Sequence, residues 1–569
     1  MRKHTSTSAL RALETESARV ADQIIDVLEE YGVVRAFGIP GGTISPLFDA
    51  LIDSGIDVVT CQHETMAVYL AAGHARATGT PGVVLVTSGP GVLNAITGVA
   101  AAFCDEVPLL VLGGEVHSHN GGRGALQDGG PGGLDVAAMM RPITKLVDTL
   151  QQPRRVSALV HQALDAAMSQ PRGPTFLRVP VDVASAALPS VQVVRAKLES
   201  ARPDPEVCQH IARALNGAAR PAIFAGIGAR TGGVGPALLE IAEWRKVPII
   251  TDIEARGIIP ESHPMCLGVF GVGGAGLADG YLAEGVDVLL TVGARLDDTT
   301  TNGWQEVLRP DGLVIQLDHD AHRLCRGYRA DVAMACDLLE ALAHTLAAAR
   351  VPDFEGLLAR DTAVAEARRQ HRIPQVAPLS RAPHDPNAVI RALRAAFPSD
   401  TAWTSDIGNH LLFASTNLQI ESPEHFHVSV GLGGMGSGIG MALGLGMSGR
   451  SSVVGVCGDG GLLMVGNELA TCARRGINVV LAVLDDGQLG MVEHGNRSVF
   501  GRSDFCAAGG TDLTAWALSL GANAVRVEEA ADLTRAMALV GQGPLLLHFP
   551  IDPSVAAINP RAQNFKGAR

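Results

Sequence analysis

Residues 453–486 read VVGVCGDGGLLMVGNELATCARRGINVVLAVLDD. Two apolar runs flank a helical stretch, and a glycine turn holding one acid follows the first run. Strand, turn, helix and strand in this order form a βαβ unit, with parallel strands and a helix over one face. Residues 83–114, VVLVTSGPGVLNAITGVAAAFCDEVPLLVLGG, repeat the order and hint at duplication. Further Val-, Leu- and Ile-rich runs occur at 175–181, 221–226, 247–250, 286–293, 313–318 and 544–550. Such runs, buried on both faces and separated by helices, indicate parallel sheets, so the fold class is α/β.

At 569 residues and 47% apolar content, the chain can build several cores. Two Pro-rich stretches without strand or helical periodicity, 189–206 and 371–386, read as seams. They predict three domains, 18–188, 200–350 and 380–560, after a tail over 1–17. The 58 acidic and 45 basic residues give a net charge of −13, which disfavours nucleic acid and anionic membrane surfaces as partners. Nine cysteines without a C-x-x-C pair read as reduced thiols. No apolar run reaches transmembrane length and the N-terminus lacks a signal pattern, so a cytoplasmic small-molecule enzyme is expected.

Asp485 and Asp486 close the second strand. On these residues alone an Asp-Gly turn is the simpler reading. The GDGG turn at 458–461 alters the balance. Gly458, Gly460 and Gly461 let the backbone approach a phosphate, and the N–H groups at the helix start favour its charge. A diphosphate there calls for a hard cation, and Mg²⁺ takes one or two carboxylates together with phosphate oxygens. Asp459 and Asp486 lie at neighbouring strand ends in a βαβ unit, so both can supply ligands. Asp485, one residue earlier, points the other way and reads as structural.

GDGG followed by this acidic pair resembles the cofactor motif of thiamine-diphosphate enzymes. FGIPGG (37–42), CQHETMAVYLAAGHARATG (61–79) and TSGPG (87–91) resemble, in order and spacing, the first domain of their acetolactate synthase branch. TSDIGNHLLFAS (404–415) and SVGLGGMGSGIGMALGLG (429–446) resemble the family's cofactor-lining stretches, and the likeness spans about residues 18–555. It implies three consecutive parallel-sheet α/β domains: pyrimidine-binding, middle and diphosphate-binding. It also implies thiamine diphosphate and Mg²⁺ as cofactors, the metal held by Asp459, Asp486 and the Gln488 carbonyl. Glu64 would bond N1′ of the cofactor's aminopyrimidine and promote proton removal from thiazolium C2. That role suits a carboxyl in an apolar, water-poor pocket. Met435 would hold the V-shaped cofactor, and the Gly433 carbonyl would receive its 4′-amino group. His410 and Met464 would lie against cofactor or reacting carbon, Gln127 would join Glu64 and His410 as a catalytic residue, and Gly41, Gly42 and Met491 would lie in the substrate pocket. A 2-oxo acid and a second carbonyl compound are the implied substrates, and a homodimer the smallest active unit. A tetramer and a regulatory subunit stay open.

Four features depart from that pattern. Asp485-Asp486 stands where the family usually has Asn-Asn. Thr299 follows Asp297-Asp298 where an Arg usually clamps the second substrate's carboxylate, and a hydroxyl does not replace a bidentate guanidinium. Gly495 occupies the place of a Trp, and Leu126 that of a Phe before the pocket glutamine. The last three changes enlarge and neutralise the acceptor region. In the middle block, PAIFAGIGARTGG (221–233), VGARLDDTTTNGW (292–304) and residues 317–337 resemble an FAD-carrying domain, which makes FAD an option. The leading expectation is a carboligase that decarboxylates a 2-oxo acid and transfers the acyl unit to a second carbonyl. A simple 2-oxo-acid decarboxylase and a non-catalytic nucleotide- or partner-binding relative are the alternatives.

Overall fold

A computed structural model describes residues 17–189, 201–348, 354–371 and 376–557. The tail over 1–16, residues 190–200 of the first Pro-rich seam and residues 372–375 of the second lie outside the described residues. The chain divides into two compact units between residues 198 and 199.

The first unit holds one parallel sheet of six strands. Its central strands, Gly82–Val86, Leu109–Glu115 and Pro174–Pro180, are buried at every position, as sandwiching between helix layers requires. A short antiparallel pair, Ser17–Arg19 with Ala187–Pro189, joins the two ends of this unit. The second unit holds two further six-stranded parallel sheets. The apolar runs at 221–226, 286–293 and 313–318 form strands of one, and those at 453–459, 478–485 and 544–550 form strands of the other.

Numbered by chain order within each sheet, the strands of the first and third sheets both run 2-1-3-4-6-5. This shared order gives the sequence echo a structural counterpart. The middle sheet runs 3-2-1-4-5-6, the doubly wound order whose switch point lies between strands Pro221–Ala225 and Val288–Val292. All nine cysteines are free thiols and seven are buried, so they act mainly as small core side chains. Among the described residues no helix is long and apolar enough to cross a membrane.

Candidate active site

Strand Val453–Gly458 runs parallel to Val480–Asp485, with Gly458 opposite Leu484. Asp459, the first residue of the next helix, and Asp486, just past the second strand, therefore share one sheet edge. A cavity of about 220 Å³ opens there. Its lining includes His410, Gly433, Met435, Gly458, Asp459, Gly460, Gly461, Asp486, Gln488 and Met491, all expected from the sequence. Met464 does not line it. That side chain lies further along the helix Asp459–Val465 and is 58% exposed.

Asp459 Oδ2 is buried and has no hydrogen-bond partner among the described residues. Burial, then the charges of Asp485 and Asp486, push this carboxyl up to about 7. Burial also raises Asp486, whose Oδ1 accepts the Gln488 N–H at 3.2 Å. A Cβ on Gly490 would lie 2.1 Å from Asp486 Oδ2, so this carboxylate has room only over a glycine. Asp485 is engaged elsewhere: Oδ2 meets His548 Nε2 at 2.7 Å and Oδ1 accepts the Gly487 N–H at 3.0 Å. Burial alone would raise Asp485, but the bond and charge of His548 hold it below the usual carboxylate range.

An orphaned buried oxygen and a second carboxylate, both disfavouring ionisation, fit a site that awaits a cation. Among the described residues no group of three or more His, Cys, Asp or Glu side chains could hold a metal. A cation between Asp459 and Asp486 would need further ligands from backbone carbonyls and from phosphate, a donor set that suits Mg²⁺.

His410 is fully enclosed, and burial brings its pKa down to about 4, so the imidazole is neutral near pH 7. Its Nε2 has no partner among the described residues. Two features of this site are silent in the sequence. Asp406 accepts the Gly436 N–H at 2.7 Å and the Gly438 N–H at 3.1 Å, which fixes the glycine-rich stretch that carries Met435. Asn409, beside His410, also lines the cavity, and its Nδ2 bonds His494 Nδ1 at 3.1 Å.

In the first unit, His63 caps the helix Glu64–Thr78 by accepting the Thr65 N–H at 3.2 Å. Glu64 starts that helix almost wholly buried, and Asn94 Nδ2 donates to its Oε2 at 3.0 Å. Asn94 carried no signal in the sequence, since its partner lies 30 residues away. The TSGPG turn lies between Glu64 and Gln127: a Cβ on Gly91 would lie 3.5 Å from Glu64 Oε1, and one on Gly89 3.2 Å from Gln127 Cβ. Gln127 has a φ of +62°, and its carbonyl accepts the Ser88 hydroxyl at 2.6 Å. Gly41 packs against Thr87, Gly42 faces open space, and Leu126 is 87% exposed.

The acceptor-region substitutions lie outside the 220 Å³ cavity. The Thr299 hydroxyl donates to Asp297 Oδ1 at 3.0 Å. No heavy atom stands within 4 Å of a Cβ built on Gly495.

At the switch point of the middle sheet, the glycines are consumed by chain packing. A Cβ on Gly226 would lie 2.4 Å from Ala294 Cα, and Gly228 N–H donates to the Gly293 carbonyl at 2.9 Å. Two carboxylates, Asp252 and Glu254, are buried on the loop after strand Ile249–Thr251. Burial pushes Asp252 up to about 7 although Arg295 pulls the other way. Arg295 pairs with Glu254 and lies 3.3 Å from Asp297. Closed loops and buried acids make a poor seat for a dinucleotide diphosphate. Because a buried carboxylate left without its partner is costly, Arg295→Met is expected to destabilise the protein by about 3–5 kcal/mol. Denaturant unfolding measures this, and a loss below about 1 kcal/mol would show the pair to be solvated.

Three family models match the chain: the thiamine pyrophosphate enzyme N-terminal TPP binding domain over residues 18–135, the central domain over 208–345, and the C-terminal TPP binding domain over 406–549. The chain is 30% identical to the probable acetolactate synthase large subunit of Methanocaldococcus jannaschii, over 94% of this chain and 92% of that protein. It is 32% identical to the acetolactate synthase isozyme 3 large subunit of Escherichia coli K12, over 83% of each chain. The isozyme 2 large subunit of the same bacterium is 31% identical, over 94% of this chain and 95% of that one. Sheet order, site geometry and these matches converge: the chain belongs to the thiamine pyrophosphate enzymes and is an enzyme of the acetolactate synthase large-subunit type.

Proposed function

We propose that this enzyme is a thiamine-diphosphate- and Mg²⁺-dependent carboligase that decarboxylates a 2-oxo acid and joins the acyl unit to a second carbonyl compound. The observation that supports it best is Glu64, a buried carboxylate at a helix start with its orientation fixed by Asn94. When bound, the cofactor supplies a carbanion equivalent and the electron sink for loss of CO₂. Glu64 would exchange a proton at the aminopyrimidine N1′, while Asn94 fixes the carboxylate through Oε2. Asp459, Asp486 and the Gln488 carbonyl would hold Mg²⁺, and the glycine turn Gly458–Gly461 would leave room for the diphosphate. Neutral His410 offers Nε2 as a hydrogen-bonding group that adds no charge to the pocket. Met435 lies over the glycine turn as an apolar wedge. A homodimer is the smallest active assembly in this reading.

The acceptor differs from that of an ordinary acetolactate synthase. Thr299 spends its hydroxyl on Asp297 rather than on a substrate carboxylate. Gly495 leaves space where relatives place a ring, so the second carbonyl is larger or less polar than a small 2-oxo acid. Flavin has no part in this reading, because the switch-point loops are packed against each other over buried acids. Purified enzyme is therefore expected to show no flavin absorption, and added FAD to leave turnover unchanged.

Incubating the enzyme, Mg²⁺ and thiamine diphosphate with a panel of 2-oxo acids and aldehydes, followed by mass spectrometry, tests the proposal. A hydroxyketone product supports it. Free aldehyde alone would make the enzyme a simple decarboxylase, and rapid acetolactate formation from pyruvate alone would refute the altered acceptor.

Asp486→Asn is expected to retain turnover at saturating Mg²⁺ while shifting the Mg²⁺ concentration for half-activation. Removing one like charge also lets Asp459 ionise more readily. An inactive but folded Asp486→Asn protein would mean that the cation needs the carboxylate charge outright.

A further inference from the structure

The second unit contains another cavity, of about 660 Å³, that shares no lining residue with the cofactor cavity. It opens along the edge strand Cys266–Val269 of the middle sheet, against helices Phe354–Gln370, Pro386–Ala396 and Asn409–Asn417. Four guanidiniums line it: Arg256, Arg368, Arg391 and Arg394. The sole carboxylate among the described lining residues, Glu261, is matched by Arg256 through two bonds of 2.7 and 2.8 Å. That leaves three further guanidiniums on the lining of a chain whose net charge is −13.

Arg368 and Arg394 are held by neutral acceptors that aim them. Arg368 donates to the His263 carbonyl at 3.2 Å and also to that of Cys266. Arg394 donates to the Gln419 side chain at 3.0 Å, and Arg391 Nε to Asn417 Oδ1 at 2.7 Å. Guanidinium forks suit phosphate and carboxylate groups. The volume is ordinary for a small-molecule site.

We propose that this cavity is a binding site for a small polyanion, an organic phosphate or a polycarboxylate. Calorimetric titration of the cofactor-loaded enzyme with fructose 1,6-bisphosphate and, separately, tricarballylate, at fixed ionic strength, distinguishes the two chemistries. Saturable binding of at least one, once per chain, is expected. Because a lost charge-assisted bond weakens binding about tenfold, Arg368→Gln/Arg394→Gln should lower the affinity at least that much with cofactor affinity unchanged. Arg394 is exposed, so Arg394→Gln alone should fold normally and still bind more weakly than the parent. No saturable binding of either probe, or parental affinity in the Arg394→Gln protein, overturns the proposal.

Discussion

Glu64→Gln is expected to fold, bind cofactor and Mg²⁺ with parental affinity, and lose about 10²–10⁴-fold in turnover, the usual worth of a positioned acid–base group. Glutamine keeps the size of the side chain, and its carbonyl oxygen can still accept the Asn94 amide hydrogen. The helix start is unharmed, because its cap comes from His63. What disappears is the capacity to exchange a proton. Measuring the rate of exchange at thiazolium C2 by proton NMR, beside steady-state turnover, separates this loss from poor substrate binding. If the variant turned over at the parental rate, Glu64 would be only a favourable charge at a helix start and the catalytic reading would fail.

Removing Asp459 should have the second largest effect, on assembly of the site rather than on proton transfer. Groups that merely orient a metal ligand commonly cost 10–100-fold in affinity, so Asp459→Asn should cost more than about 100-fold in Mg²⁺ and cofactor binding. The raised pKa of the parental carboxyl adds a pH dependence. The cation takes the ionised form, and a proton must leave when pH is below about 7. Apparent Mg²⁺ affinity is thus expected to fall about tenfold per pH unit below that point and to level off above it. The stability of the cofactor-free protein runs the opposite way. A carboxyl whose pKa rises from 3.8 to about 7 on folding gives stability below pH 3.8 that is lost as pH climbs through 7. Cofactor-free Asp459→Asn should therefore melt above the parent at pH 8, with the gap closing toward pH 4. Equal melting temperatures at both pH values would show that Asp459 is better solvated than its burial suggests.

The apolar runs located the strands at the centres of the sheets, where both faces are covered and only Val, Leu and Ile satisfy the packing. Edge strands were less legible. Leu146–Thr149, Val332–Ala335 and Asn523–Arg526 are only partly buried and carry mixed residues, so their pattern merges with that of loops. Asp459 and Asp486 could be paired from sequence because a βαβ unit dictates which strand ends are neighbours. Asp485 parted from Asp486 for the equally local reason that successive strand residues alternate in direction. Met464, farther along the helix Asp459–Val465, is exposed and outside the cavity lining. Asn94, Asp406 and the Arg295–Glu254 pair stayed hidden, since each acts through a contact distant in sequence.

The common strand order of the first and third sheets gives one structural address two occupations. In both, the third strand of the sheet runs into a glycine turn and a helix: Gly82–Val86 leads to TSGPG, and Val453–Gly458 to GDGG. In the third sheet that address carries an acid, Asp459, which in the proposed function would hold the metal of a bound diphosphate. In the first, Pro90 opens the helix without an N–H to offer, and the turn is filled by the protein's own Glu64 and Gln127. In the proposed function one copy of the architecture would supply the anchorage and the other the proton chemistry, so a substitution at one address would tune one role without rebuilding the other.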